Sequence, residues 1–268
     1  MSPPAVDRMF ITSVWLQCII YGAYKFNCVL FGVCMYVIFI RNKSAHWIVP
    51  LSCIFHFSMA TVHIIISFLY ALQGLTDPAV ISVPYGSTLY FASVTALWST
   101  MTGLYLFNVL VLHFLLIWRF YLVWNRNLVA TIILLILEVG HLATALAAWG
   151  MVTHSREIDE PIALHVATAL FILNIVLTIY LTSGIAYRLW RAGADTFDLT
   201  GHNAYKPAIY TIIQCGALYT SSIVVICILR LSGKPAGLVA PYVGIQFATL
   251  TPLLLIVSLK FGVRHDQA

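Results

Sequence analysis

The chain has 268 residues, of which 61% are hydrophobic and only 9% charged, with a mean hydropathy of +0.94. A soluble domain carries about 25% charged and roughly 45–50% apolar residues, so this composition excludes a soluble enzyme, a nucleic-acid-binding domain and a disordered tail, and implies an integral membrane protein. The formal charge of +5 comes from 14 Lys and Arg against 9 Asp and Glu, an excess that in such a chain sets topology rather than recruiting an acidic partner.

A membrane-spanning helix needs roughly 20 mostly apolar residues. Taken in order, the sequence predicts seven such spans, at 13–40, 47–73, 90–118, 128–152, 163–187, 208–229 and 239–259. The first follows Pro3, Pro4, Asp7 and Arg8, which offer neither a basic region nor a small-residue cleavage site, so it reads as a retained anchor. Its length predicts a tilt. It carries Lys25. After Arg41-Asn42-Lys43-Ser44, the second span carries Ser52 and the pair His56 and His63, seven residues apart and so on one helix face. The polar stretch 74–87, with Asp77, Pro78 and Pro84, precedes the third span.

The third span holds Asn108 and His113 and ends in Trp118-Arg119-Phe120-Tyr121-Leu122-Val123-Trp124-Asn125-Arg126-Asn127. The fourth holds Glu138 and His141. The fifth holds Asn174 and ends in Ala186-Tyr187-Arg188-Leu189-Trp190-Arg191, after which 188–207 reads as a polar break. The sixth contains Gln214, and the seventh contains Gln246 and Pro252, where a kink is expected. No linker is long enough for a second domain. The predicted fold is a single all-α, seven-helix transmembrane bundle.

Orientation follows from Lys and Arg. With the N-terminus outside, Arg41, Lys43, Arg119, Arg126, Arg188, Arg191, Lys206, Lys260 and Arg264 lie on the inner side. Arg8, Arg156, Arg230 and Lys234 lie outside. This bias favours an outer N-terminus and a cytoplasmic C-terminus. The sequon Asn42-Lys43-Ser44 then falls inside and should stay unglycosylated. Cys18, Cys28, Cys34, Cys53, Cys215 and Cys227 all sit in apolar runs without a CxxC pair. They read as small core residues, with a Cys18–Cys227 bridge as the lesser alternative.

Ionisable groups within a span are costly and usually face the bundle interior. At about 1.5 Å per residue, Lys25 falls near the midplane. Asn108, Glu138, His141, Asn174 and Gln246 lie within about two turns of it, and His63 slightly further out. His56, His113 and Gln214 form a layer nearer the cytoplasm. Lys25 and Glu138, each costing about 2.5–3.5 kcal/mol alone on insertion scales, are expected to pair, either structurally or as a ligand counter-ion or proton relay. By depth His63 matches His141 and His56 matches His113, the arrangement a bis-histidine haem cytochrome needs. Interhelical hydrogen bonding is the plainer reading. Ser52 and His56 share the Ser-xxx-His spacing of seven-span zinc hydrolases, but the last span has no histidine and no span has an aspartate. Lys260 at the inner end of the seventh span argues against a retinal pigment, and the prolines form no broken-helix repeat of the transporter type.

Several stretches together resemble a large family of seven-span membrane proteins from mushroom-forming (basidiomycete) fungi. They are Leu16-Gln17-Cys18-Ile19-Ile20-Tyr21-Gly22, Ala60-Thr61-Val62-His63, Arg119-Phe120-Tyr121-Leu122-Val123-Trp124-Asn125-Arg126-Asn127, Ala186-Tyr187-Arg188-Leu189-Trp190 and Gly216-Ala217-Leu218-Tyr219, spread over most of the chain. The resemblance implies seven helices and, by analogy of layout alone, a receptor-like role. Two departures stand out. His113 occupies the position, six before Arg119, where the family has an aspartate, and Gln214-Cys215 replaces Glu-Ser. His113 and Gln214 are expected to replace one polar pair with another.

The function expected is a receptor-like protein binding a small ligand in an outward-opening cavity among the second, third, fifth, sixth and seventh spans. Lys25, His63, Asn108, Glu138, Asn174 and Gln246 form its central polar cluster. Signalling would pass to a cytoplasmic partner through Arg119, Arg126, Arg188 and Arg191. The alternatives are a solute or proton transporter using Lys25 and Glu138, and a haem cytochrome. No phosphate loop, nucleophile elbow or zinc motif is present, so no enzyme activity, metal, cofactor or nucleic-acid partner is expected. With no retrieval signal at Arg264-His265-Asp266-Gln267-Ala268, the plasma membrane is the default address.

Overall fold

The computed structural model describes residues 10–12, 14–16, 26–36, 47–155, 161–200, 206–232, 241–251 and 253. Lys25, Cys18, Asn42 and Pro252 lie outside them. The described elements are helices: α1 (Phe26–Tyr36), α2 (Ile48–Thr76), α3 (Pro78–Ile81), α4 (Gly86–Ala92), α5 (Ala96–Val123), α6 (Leu128–Ser155), α7 (Pro161–Thr200) and α8 (Lys206–Leu231), with 241–251 also helical. Among the described residues no strand forms.

Five helices are long and apolar enough to cross a membrane: Ile48–Thr76, Ala96–Val123, Leu128–His154, His165–Ala194 and Ile209–Leu231. They correspond to the second to sixth predicted spans. The first and seventh lie partly outside the described residues. The bundle's outer faces are apolar, with Ile136 65%, Val139 66% and Ile228 59% exposed. Such continuous apolar surface is a liability in water and ordinary against lipid.

Local chemistry sets the helix ends. Asp77 caps α3 by accepting from the Ala79 amide at 2.9 Å, just ahead of Pro78. Thr95 caps α5 by accepting from the Trp98 amide at 3.1 Å. The third span therefore begins at Ala96 rather than at 90, and 86–92 form the separate helix α4. The break at 124–127 is as expected. Asn125 and Arg126 adopt left-handed φ values of 52° and 61°, and Asn127 Oδ1 accepts from the Ala130 amide at 3.3 Å, so α5 reverses tightly into α6.

The largest difference concerns α7, which runs on to Thr200 instead of stopping at 187. Its 40 residues reach about 60 Å, roughly twice the hydrocarbon thickness. Polarity from Arg188 onward marks where the apolar surface ends, not where the helix ends.

Two glycines set helix spacing. A Cβ on Gly184 of α7 would lie 2.7 Å from a Phe120 ring carbon. Phe120 stacks on Trp124 at 5.3 Å, and Trp124 Nε1 donates to the Gly184 carbonyl at 3.2 Å. The aromatic end of the third span, expected at the membrane interface, thus clamps α5 to α7. Between α7 and α8, a Cβ on Gly216 would lie 2.5 Å from Thr182 Cγ2. Close approach through small residues suits helices that cannot rely on a hydrophobic drive between them.

Candidate functional site

Among the described residues, two buried polar groupings and a cavity at one end of the bundle stand out. The first grouping joins α2 to α5. His56 Nδ1 donates to Asn108 Oδ1 at 2.8 Å, and both side chains are fully buried. That bond leaves His56 Nε2 and Asn108 Nδ2 without partners. Further along α2, Ser67 Oγ lies 3.4 Å from His63 Nδ1 and donates to Met101 Sδ at 3.2 Å. His63 Nε2 is unpartnered. Ser52 donates to the Val49 carbonyl at 2.8 Å, so the Ser-xxx-His spacing does not couple Ser52 to His56.

The second grouping joins α5 to α6. His113 Nδ1 meets Glu138 Oε2 at 2.8 Å, and His141 Nδ1 lies 3.4 Å from Glu138 Oε1. The two imidazole rings stand 5.0 Å apart, edge to face. The Asn174 amide reaches toward His113 from α7. It also donates to Tyr219 Oη of α8 at 3.2 Å and accepts from Thr178 at 3.3 Å. A polar chain therefore crosses α6, α5, α7 and α8 in the middle of an apolar bundle.

The expected central cluster is thus divided. Glu138 and Asn174 share one grouping, Asn108 and His63 lie on the α2 side, Gln246 is fully buried in 241–251, and Lys25 is outside the described residues. Glu138, expected to pair with Lys25, has His113 and His141 as its described partners. The histidines matched by depth are not the ones that meet: His113 contacts His141, and His56 contacts Asn108. Gln214 is exposed on α8, so it does not form the expected pair with buried His113.

A cavity of about 90 Å³ lies where α5 and α7 begin, α6 and α8 end, and 241–251 starts. Its wall includes Trp98, Tyr105, Trp149, Phe171, Tyr242 and Arg230. Tyr105 is buried there and its hydroxyl has no partner. None of the five described members of the expected cluster lines it, although His63 packs 5.9 Å from the Tyr242 ring. Among described residues the fourth span contributes to the wall and the second does not. No sequence pattern singled out Tyr105 or Trp149, because aromatic residues are common throughout this chain.

No family model, no curated protein and no solved structure matches this chain.

The four arginines expected to dock a partner gather at the opposite end of the bundle, but in different settings. Arg126 and Arg191 are exposed and Arg188 is half-buried. Arg119 is also half-buried, near Cys53 of α2 and Cys215 of α8. It points between helices rather than outward. Of the cysteines, Cys34, Cys53, Cys215 and Cys227 are buried as expected, whereas Cys28 is exposed.

Proposed function

We propose that the chain is a seven-span, receptor-like protein of the plasma membrane, N-terminus outside, that binds a small amphipathic ligand in the cavity between Trp98, Tyr105, Trp149, Phe171, Tyr242 and Arg230. One observation carries the reading: an aromatic-walled cavity at the end opposite the basic end, with the buried, unpartnered Tyr105 hydroxyl on its wall. Ligand sites are typically apolar clefts with a few placed polar groups. Arg230 is the charged group on this wall, and a guanidinium matches a carboxylate or phosphate. Under the positive-inside rule this end faces outward and Arg126 and Arg191 face the cytoplasm. A ligand that favours one packing of the helices would shift the population of the arginine-bearing end.

A small-molecule set of aromatic and aliphatic carboxylates, screened by thermal stabilisation of the purified protein, should yield a binder. Tyr105→Phe should weaken that binder about tenfold or more, since a hydrogen bond to a charged group contributes about 1.5–3 kcal/mol. Equal stabilisation of wild type and Tyr105→Phe would sink the cavity assignment. The buried His113–Glu138–His141 grouping favours a second reading, proton or solute transport. Flux in proteoliposomes abolished by Glu138→Gln would put that reading first.

A further inference from the structure

The α5–α6 grouping has the makings of a ligand set. Glu138 and His141 stand three residues apart on α6 and so share one face. His113 faces them from α5. One donor atom from each of the three lies within 4.8 Å of the other two, and all three residues are buried. His113 Nδ1 lies 2.8 Å from Glu138 Oε2 and His141 Nδ1 lies 3.4 Å from Oε1, against about 3.3 Å between tetrahedral donors that each lie about 2.0–2.1 Å from a zinc ion. The Glu-x-x-His spacing on one helix, completed from a neighbouring helix, is how bundle proteins build carboxylate–imidazole metal centres.

We propose that His113, Glu138 and His141 bind a divalent transition metal, zinc by donor type. Two imidazoles and one carboxylate suit this borderline ion, and three protein ligands leave a fourth position open. The two Nδ1 atoms that now face Glu138 would bind the ion, which places each ring proton on Nε2. His113 Nε2 has no hydrogen-bond partner, and Asn174 stands beside that ring. Asn174 is therefore placed to accept the Nε2 proton and fix the ring, as outer partners of metal-bound histidines do. The residues on the far side are apolar. A cavity of about 290 Å³ between α5 and α6 reaches His141, and Phe107 and Leu146 on its wall are exposed on the bundle's outer face. Any molecule taking the fourth position from that side would be lipid-soluble.

The test uses the full chain in detergent, stripped with a chelator, desalted, equilibrated with Zn²⁺, desalted again and assayed by elemental mass spectrometry. One zinc per chain is expected in the wild type. Glu138→Gln and His113→Gln should each hold about tenfold less or lower still, and Asn174→Ala should weaken binding about 10–100-fold. With Co²⁺ as the probe, the wild type should show ligand-field bands in the visible. His141→Cys keeps a donor at that position and should add a thiolate-to-Co²⁺ charge-transfer band. Size-exclusion profiles separate loss of a ligand from loss of fold. If Glu138→Gln aggregates, His141→Cys decides the matter alone. A wild type holding under about a tenth of a zinc per chain overturns the site. So do variants that retain zinc like the wild type, or a His141→Cys protein without the new band.

Discussion

His56 and Asn108 show how a single polar pair works in this bundle. Both side chains are fully buried, and the 2.8 Å bond between them ties α2 to α5. Side-chain hydrogen bonds between membrane helices contribute about 0.6 kcal/mol on average and up to about 1.7. Asn108→Ala should therefore lower thermal stability in detergent by that amount, and a double-mutant cycle with His56→Leu should recover it as coupling energy. Independent, additive effects would show that the pair does not hold the helices together. That such polar residues face the bundle interior could be expected from their cost in a span, and Asn108, Glu138, His141, Asn174 and Gln246 are all buried. Their partners could not be read. A pairing depends on how each helix is rotated about its axis, and that is set by packing many residues away. The i,i+3 spacing of Glu138 and His141 was the one legible sign of their association.

At the scale of elements, the helices approach where the sequence offers no side chain. Gly216 faces Thr182 so closely that an added Cβ would sit 2.5 Å from Thr182 Cγ2. Gly216→Ala should destabilise the α7–α8 contact by about 1–3 kcal/mol. Thr182→Ala in the same chain should restore most of that loss, measured by thermal unfolding in detergent. Failure of the rescue would mean that the strain falls elsewhere. Helix ends were legible at the break around Asn127, but not at α5, where the Thr95 cap starts the helix at Ala96 and not at 90. They were misread at α7, where charge rose but no residue stopped the helix before Thr200. Hydropathy reports the solvent around a helix, whereas capping and backbone chemistry report its termini.

Across the described residues, the outer surface is apolar like the core, and polar side chains are buried within that core. Polar side chains such as Asn108, His113, Glu138 and Thr249 are buried, while Ile136, Val139, Val225 and Ile228 face outward. The proposed orientation makes a prediction at this scale. In a glycosylation-competent membrane system, Asn42 should stay unmodified, and a sequon inserted at 156–160 should be modified. The opposite pattern would invert the topology and move the aromatic cavity to the cytoplasmic side.

The sequence by itself determined that this is a helical chain of apolar segments. It determined where most segments lie and that polar residues such as Asn108 and Glu138 turn inward, because these follow from transfer of each residue out of water. The tertiary structure alone decided that Glu138 joins His113 and His141. It also decided that Trp124 clamps α5 to α7, and that Tyr105 and Trp149 wall a cavity. Those outcomes depend on helix rotation and close approach, which arise from side chains distant in sequence meeting at one place. No periodicity or composition along a single strand of text carries that information.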